Sequence, residues 1–263
     1  MMSLDNTLWL VGIVTEVAVV GLLVYRRVWR TFPVFCVYCA WDLFVNAVGF
    51  FVQRFFPASY LTVYLADIVI DSALEFGVLV ELAWSVLRPF RASLPRKSLV
   101  FVSGSILALS AAIWPFAAIP GFGNLPLQWH LLMHLEQTAA ILRILLFLAL
   151  AGCSQLLSIG WRDRELQVAT GLGFYSLVSL AVAMLHAHLT TGSQYALLNQ
   201  VEVGGYLCSL MYWVFSFSQK EAERREFSPQ MQGFLRAMAG TARAARVAMT
   251  DSTVAETPKR NQP

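Results

Sequence analysis

The chain has 263 residues, of which 57% are hydrophobic and only 13% are Asp, Glu, Lys or Arg, with a formal net charge of +3. Mean hydropathy is +0.61. That charge is too sparse to coat a soluble domain of this size, and the composition also excludes a disordered chain, a collagen-like chain and a disulfide-stapled secreted module. What remains is an all-α, polytopic membrane protein.

In chain order, seven apolar segments of spanning length lie near residues 8–25, 33–53, 60–87, 98–119, 127–158, 166–188 and 194–218. Each reaches the roughly 20 helical residues that a hydrocarbon core requires. Blocks of period-2 alternation are absent, so a β-barrel is not expected.

The first segment reads as a retained anchor, because no base precedes it and Arg26, Arg27 and Arg30 follow it. Basic residues recur after the third segment (Arg88, Arg91, Arg96, Lys97), after the fifth (Arg162, Arg164) and in the tail. Seventeen of the 19 bases thus fall on one side of a seven-span topology. The positive-inside rule then places the N-terminus outside and the C-terminus in the cytoplasm. No Asn-x-Ser/Thr sequon occurs, which favours a bacterial inner membrane as the plasma membrane concerned.

Residues 1–218 form the expected transmembrane domain, and 219–263 a cytoplasmic tail. Within the tail, about 229–249 reads as a helix opened by Ser228-Pro229, with Met231, Phe234, Leu235 and Met238 on one face. Arg236, Arg243 and Arg246 lie off that face, so the helix suits an anionic lipid surface. The end of the tail reads as disordered. The expected partners are the bilayer and a small solute or cation, with no nucleic acid.

The four cysteines all fall in predicted spans, which argues against external disulfides. Cys36 and Cys39 share a helix face in a CxxC spacing, and they read as small residues at a helix interface. The loop from Pro115 to Leu127 is rich in Pro, Gly and aromatic residues and suits the membrane–water interface.

The rare charges inside the spans carry the functional signal. Eight of the 16 acids lie there: Glu16, Asp42, Asp67, Asp71, Glu75, Glu81, Glu136 and Glu202. Each charge at mid-bilayer costs roughly 2.5–3.5 kcal/mol, so these groups must be paired, protonated or wetted. Asp67, Asp71, Glu75 and Glu81 fall on one stripe of the third helix at about 100° per residue. Adjacent carboxyls two turns deep need counter-charges, shared protons or a bound cation.

The fifth helix places His130, His134 and Gln137 on one face, and Glu136 and Arg143 on another. Arg143 is the expected partner of Glu136, Glu75 or Glu202. The seventh helix adds Asn199, Glu202 and Tyr206, and the second adds Asp42 and Asn46. With the stated orientation these groups gather in the outer leaflet.

The leading expectation is therefore an outward-facing acidic vestibule in a transporter or sensor that binds a proton, a cation or a small polar solute. Asp67, Asp71, Glu75, Asn199, Glu202, Glu136 and Arg143 would line it, with no cofactor required. The alternative is an intramembrane metal-dependent hydrolase. Its divalent metal would sit on His130, His134 and His186, or on a third-helix acid, and would activate water. Retinal has no attachment point, because none of the three lysines lies in a span.

Overall fold

The computed structural model describes residues 4–56, 60–86, 98–117, 127–152, 163–186 and 192–219. The candidate tail helix, the end of the tail, most of the Pro/Gly-rich loop and Cys153 lie outside the described residues. Seven long helices follow in order: α1 (Leu4–Tyr25), α2 (Pro33–Phe55), α3 (Tyr60–Val86), α4 (Ser98–Ile113), α5 (Leu127–Gly152), α6 (Arg164–His186) and α7 (Gly192–Ser218). Short 3-10 turns, Val28–Arg30 and Trp114–Phe116, lie between α1 and α2 and at the end of α4.

Segments within α1, α2, α5 and α6, and α4 with its 3-10 turn, are long and apolar enough to cross a membrane. The remaining helices, α3 and α7, are the longest at 27 residues each. They fall short in apolarity rather than in length. Four carboxyls interrupt α3, and Asn199, Gln200 and Glu202 interrupt α7. The fourth helix ends earlier than its apolar sequence suggests, at Ile113. There Pro115 lacks the N–H that another α-helical turn would use, and the chain tightens into the 3-10 turn. Residues 153–158 of the fifth predicted segment lie outside the described residues.

The helices pack as a ring, α1–α2–α3–α5–α6–α7, closed by contact between α7 and α1. The fourth helix sits outside it against α3 and α5. Its only buried residue is Ser98 at its start. Its apolar side chains, such as Val100 and Phe101, point away from the protein, as do Val14, Phe44, Leu148 and Phe215 on other helices. Such a surface suits hydrocarbon rather than water.

Because successive helices alternate in direction, the ring has two ends with different interiors. One end holds the end of α1, the start of α2, the ends of α3, α5 and α7, and the start of α6. The main cluster of buried apolar side chains lies there: Val19, Leu23, Phe32, Phe35, Val78, Leu82, Val86, Leu150, Leu166, Leu172, Leu210, Trp213 and Phe217. We call this the plug. Phe35 packs edge-on against Trp213 and Phe217, with ring centroids 5.2 and 6.1 Å away.

The plug end is also where the described basic residues cap helices. Arg26 donates to the Ser218 carbonyl. Arg164 donates to the carbonyls of Ser216 and Gln219, at 3.4 Å each, and lies over the Phe217 ring. The last carbonyls of α7 have no partner within their own helix, and these guanidinium groups supply one. Arg164, which follows the fifth predicted segment, opens α6; it is 5% exposed and belongs to the packed end of the bundle. Arg27 turns the chain out of α1 in a left-handed conformation at φ 55°.

Glu81 departs from the expected acidic stripe. Its two oxygens accept the backbone N–H groups of Val34 and Phe35, at 3.0 and 2.9 Å, at the start of α2. The residue before that helix, Phe32, has no side chain that can cap it, so a carboxylate from α3 does so in its place. Replacing Glu81 by leucine should cost about 1–2 kcal/mol, the usual loss for a helix cap. Denaturant titration of the protein in mild detergent would measure it.

Candidate functional site

At the end of the ring opposite the plug, the helices enclose a cavity of 360 Å³. Its wall is made of helical stripes. The third helix gives Tyr64, Asp67, Ile68, Asp71, Ser72 and Glu75, and α5 gives Glu136, Gln137, Ala140 and Arg143. From α6 come Tyr175, Ser179, Leu180, Ala183 and His186. The wall is completed by Tyr38 and Asp42 of α2 and by Glu202 and Tyr206 of α7. The spacings of three and four residues are those that bring side chains to one helix face. From Asp67 to Glu75 the acidic stripe descends roughly 12 Å at 1.5 Å per residue.

Six carboxyl groups therefore share one cavity with a single guanidinium. Arg143 pairs with Glu75, and both are buried, at 4% and 7% exposure. Of the three expected partners, Glu75 is the one chosen. The Arg143 guanidinium also lies 5.8 Å from the centre of the Tyr175 ring. Asp67 accepts a hydrogen bond from the Trp41 indole at 3.1 Å, and Glu202 accepts one from Ser179 at 2.6 Å. By contrast, Asp71 and Glu136 make no side-chain hydrogen bond among the described residues. The cavity thus holds two acids fixed by neutral donors, one neutralised by arginine, and two left to the cavity itself.

The sixth acid, Asp42, belongs to a network in the wall. The Tyr206 hydroxyl lies 2.5 Å from Asp42 Oδ2 and 2.7 Å from Glu16 Oε1. Asn46 donates to the same Glu16 oxygen at 2.8 Å. The rings of Tyr206 and Tyr175 meet edge-on at 5.6 Å.

Among the residues expected at the site, Asp67, Asp71, Glu75, Glu136, Glu202, Arg143 and His186 all line this cavity. Asn199 does not. It is three residues before Glu202, about 60° round the helix, and it faces a separate pocket of 250 Å³ between α1, α2 and α7. His134 also sits apart, with its ring stacked 5.3 Å from that of Trp114 on the α4 side. Helical spacing puts Gln137 on the face of the histidines, but in the structure it lines the cavity with Glu136 and Arg143. The side chain of His130 lies outside the described residues. Among the described residues no three His, Cys, Asp or Glu side chains are placed to share one metal ion.

Four tyrosines in the wall, Tyr38, Tyr64, Tyr175 and Tyr206, were not singled out together by the sequence. Three of them read as part of an apolar span, and only Tyr206 stood on a polar helix face. A signal for the others was present: Tyr64 is three residues before Asp67, and Tyr38 four before Asp42, each on the face of its acid.

No protein-family model, curated protein or solved structure matches the chain.

Proposed function

We propose that this is a seven-span membrane protein, N-terminus outside, that binds a small cationic solute in an outward-facing vestibule, as a transporter or sensor does. The observation that carries the reading is the convergence of six carboxyls and one arginine on a single cavity. Low-dielectric walls focus the field of such a cluster, and a positive guest offsets the repulsion between its acids. A volume of 360 Å³ is that of a small-molecule site rather than a bare ion site. The tyrosine faces add to this, because aromatic rings attract organic ammonium groups.

Sidedness follows from the two ends of the ring. The plug shares its end with Arg26, Arg27, Arg30 and Arg164. The positive-inside rule assigns that end to the cytoplasm and leaves the cavity on the outer half. In this reading Asp71 and Glu136 contact the guest, Asp67 and Glu202 line its entry, and the Arg143–Glu75 pair forms the floor.

The test is a titration of the purified protein in nanodiscs with choline, putrescine and sodium chlorides at equal ionic strength. Choline or putrescine should raise the melting temperature saturably, and sodium should not. The Asp71→Asn/Glu136→Gln variant should lose at least about tenfold in affinity, or about 1.4 kcal/mol. Equal stabilisation by glutamate, or an unchanged titration in the double variant, would sink the proposal.

A further inference from the structure

The wall network presents a count that does not close. A tyrosine hydroxyl carries one hydrogen. Tyr206 nevertheless lies at hydrogen-bond distance from two carboxyl oxygens, Glu16 Oε1 at 2.7 Å and Asp42 Oδ2 at 2.5 Å. If both acids were ionised, one contact would set two acceptors against each other without a hydrogen. Two hydrogens are therefore needed among the three groups, and the second must come from a carboxylic acid.

The neighbours decide where it sits. Glu16 Oε1 already accepts the Asn46 amide, whose nitrogen can only donate. A carboxylate oxygen takes both donors with its lone pairs, whereas a carboxylic O–H would meet Asn46 only as a weak hydroxyl acceptor, so the acceptor role for both falls to Glu16 Oε1. Asp42 receives no second donor, and it faces the field of Asp67 and Glu75 across the cavity. The chain of donation then runs from Asp42 through Tyr206 to Glu16.

A second feature points to the far end of that chain. Glu16 is only 3% exposed, and its other oxygen, Oε2, has no hydrogen-bond partner among the described residues. Glu16 lines the 250 Å³ side pocket between α1, α2 and α7, together with Asn46, Asn199 and Tyr206. Tyr206 lines the central cavity as well, so its side chain stands in the partition between the two spaces.

We propose that Asp42, Tyr206 and Glu16 form a proton-holding relay that joins the central cavity to the side pocket, with the stored proton resting on Asp42. In one transfer the Asp42 Oδ2–H bond breaks as that proton binds the Tyr206 oxygen. The original Tyr206 O–H bond breaks as its proton binds Glu16 Oε1. One proton leaves Asp42, one arrives on Glu16, Tyr206 stays neutral, and no oxidant or reductant takes part.

The groups that face the relay come from every helix around it. They are Cys39 and Tyr38 of α2, Asp67, Asp71 and Glu75 of α3, Arg143 of α5 and Tyr175 of α6. Cations bound among the α3 acids would act on Asp42 through that field, which would couple the relay to the solute site. The relay itself rests on the count of hydrogens and not on which solute the cavity takes. Failure of the choline titration would leave it standing, and its own failure would leave the vestibule standing.

The experiment is infrared spectroscopy of the full chain in nanodiscs at neutral pH, in light and heavy water. A protonated carboxylic acid gives a carbonyl stretch that shifts on deuteration. That band should be lost in Asp42→Asn, shifted in Tyr206→Phe and retained in Glu16→Gln. Loss in Glu16→Gln with Asp42→Asn unchanged would overturn the placement. Identical spectra in the wild type and all three variants would overturn the relay. Should a variant fail to fold, solid-state NMR of the wild type labelled with ¹³C-aspartate and ¹³C-tyrosine reads the same feature. A protonated aspartate carboxyl in contact with a tyrosine ring is expected, and its absence would overturn the proposal.

Discussion

Replacing Arg143 by methionine should lower the unfolding free energy by about 3–5 kcal/mol, the usual cost of removing one partner of a buried ion pair. Arg143 and Glu75 are 4% and 7% exposed, and they bind each other at the floor of the cavity. Methionine fills much of the volume of the arginine stem, so the loss reports charge rather than a hole. What remains is the Glu75 carboxylate, buried beneath five other carboxyls with its counter-charge gone. Adding Glu75→Gln to the Arg143→Met variant removes that stranded charge and should restore most of the loss. Titration from mild detergent into SDS would measure both. The sign with pH follows. The single variant should regain stability as acidification protonates Glu75, whereas the double variant, which keeps only the five other cavity acids, should gain less. Equal stability of the wild type and Arg143→Met would show that the pair is not what neutralises the floor.

The same pair marks how far sequence reasoning reaches. Helical spacing alone placed Asp67, Asp71 and Glu75 on one face, because i, i+4, i+8 is a property of one helix. It could not choose among Glu75, Glu136 and Glu202 for Arg143, since that choice depends on how α3, α5 and α7 sit in the ring. Glu81 shows the complementary error. A wheel gives angle but not depth, and six residues beyond Glu75 the stripe has left the cavity and meets the start of α2. Asn199 was lost through the opposite simplification, in which an angular difference of about 60° counted as one face. Tyrosine was overlooked because hydropathy records its ring and not its hydroxyl. Of the polar residues that keep α3 and α7 from reading as clean spans, Asp67, Asp71, Glu75 and Glu202 line the cavity, whereas Glu81, Asn199 and Gln200 serve elsewhere. Local sequence thus disagrees with the membrane where the cavity needs it to.

Trp213 should prove the residue that keeps the cavity one-sided, and Trp213→Ala should cost about 3–5 kcal/mol, as removal of a buried aromatic does. The indole is 4% exposed and packs edge-on to Phe35, and its N–H donates to the Gln167 carbonyl at 3.3 Å. It lies so close to Gly171 that a Cβ there would overlap the ring, so α6 is held against α7 by the absence of a side chain. Trp213 also lines the narrow space beneath the cavity together with Tyr38, Cys39, Asp42 and Tyr206. Truncating it would join that space to the plug end. Cys39 is a built-in reporter, since it is a free, buried thiol in the same layer. In a protein whose sole cysteine is Cys39, a membrane-impermeant maleimide added at the Arg26 side should leave the thiol unlabelled. Trp213→Ala should make it reactive from that side. If the thiol stays protected after truncation, Phe35 and Phe217 close the plug without Trp213. If it is labelled already in the parent protein, the plug is not a barrier.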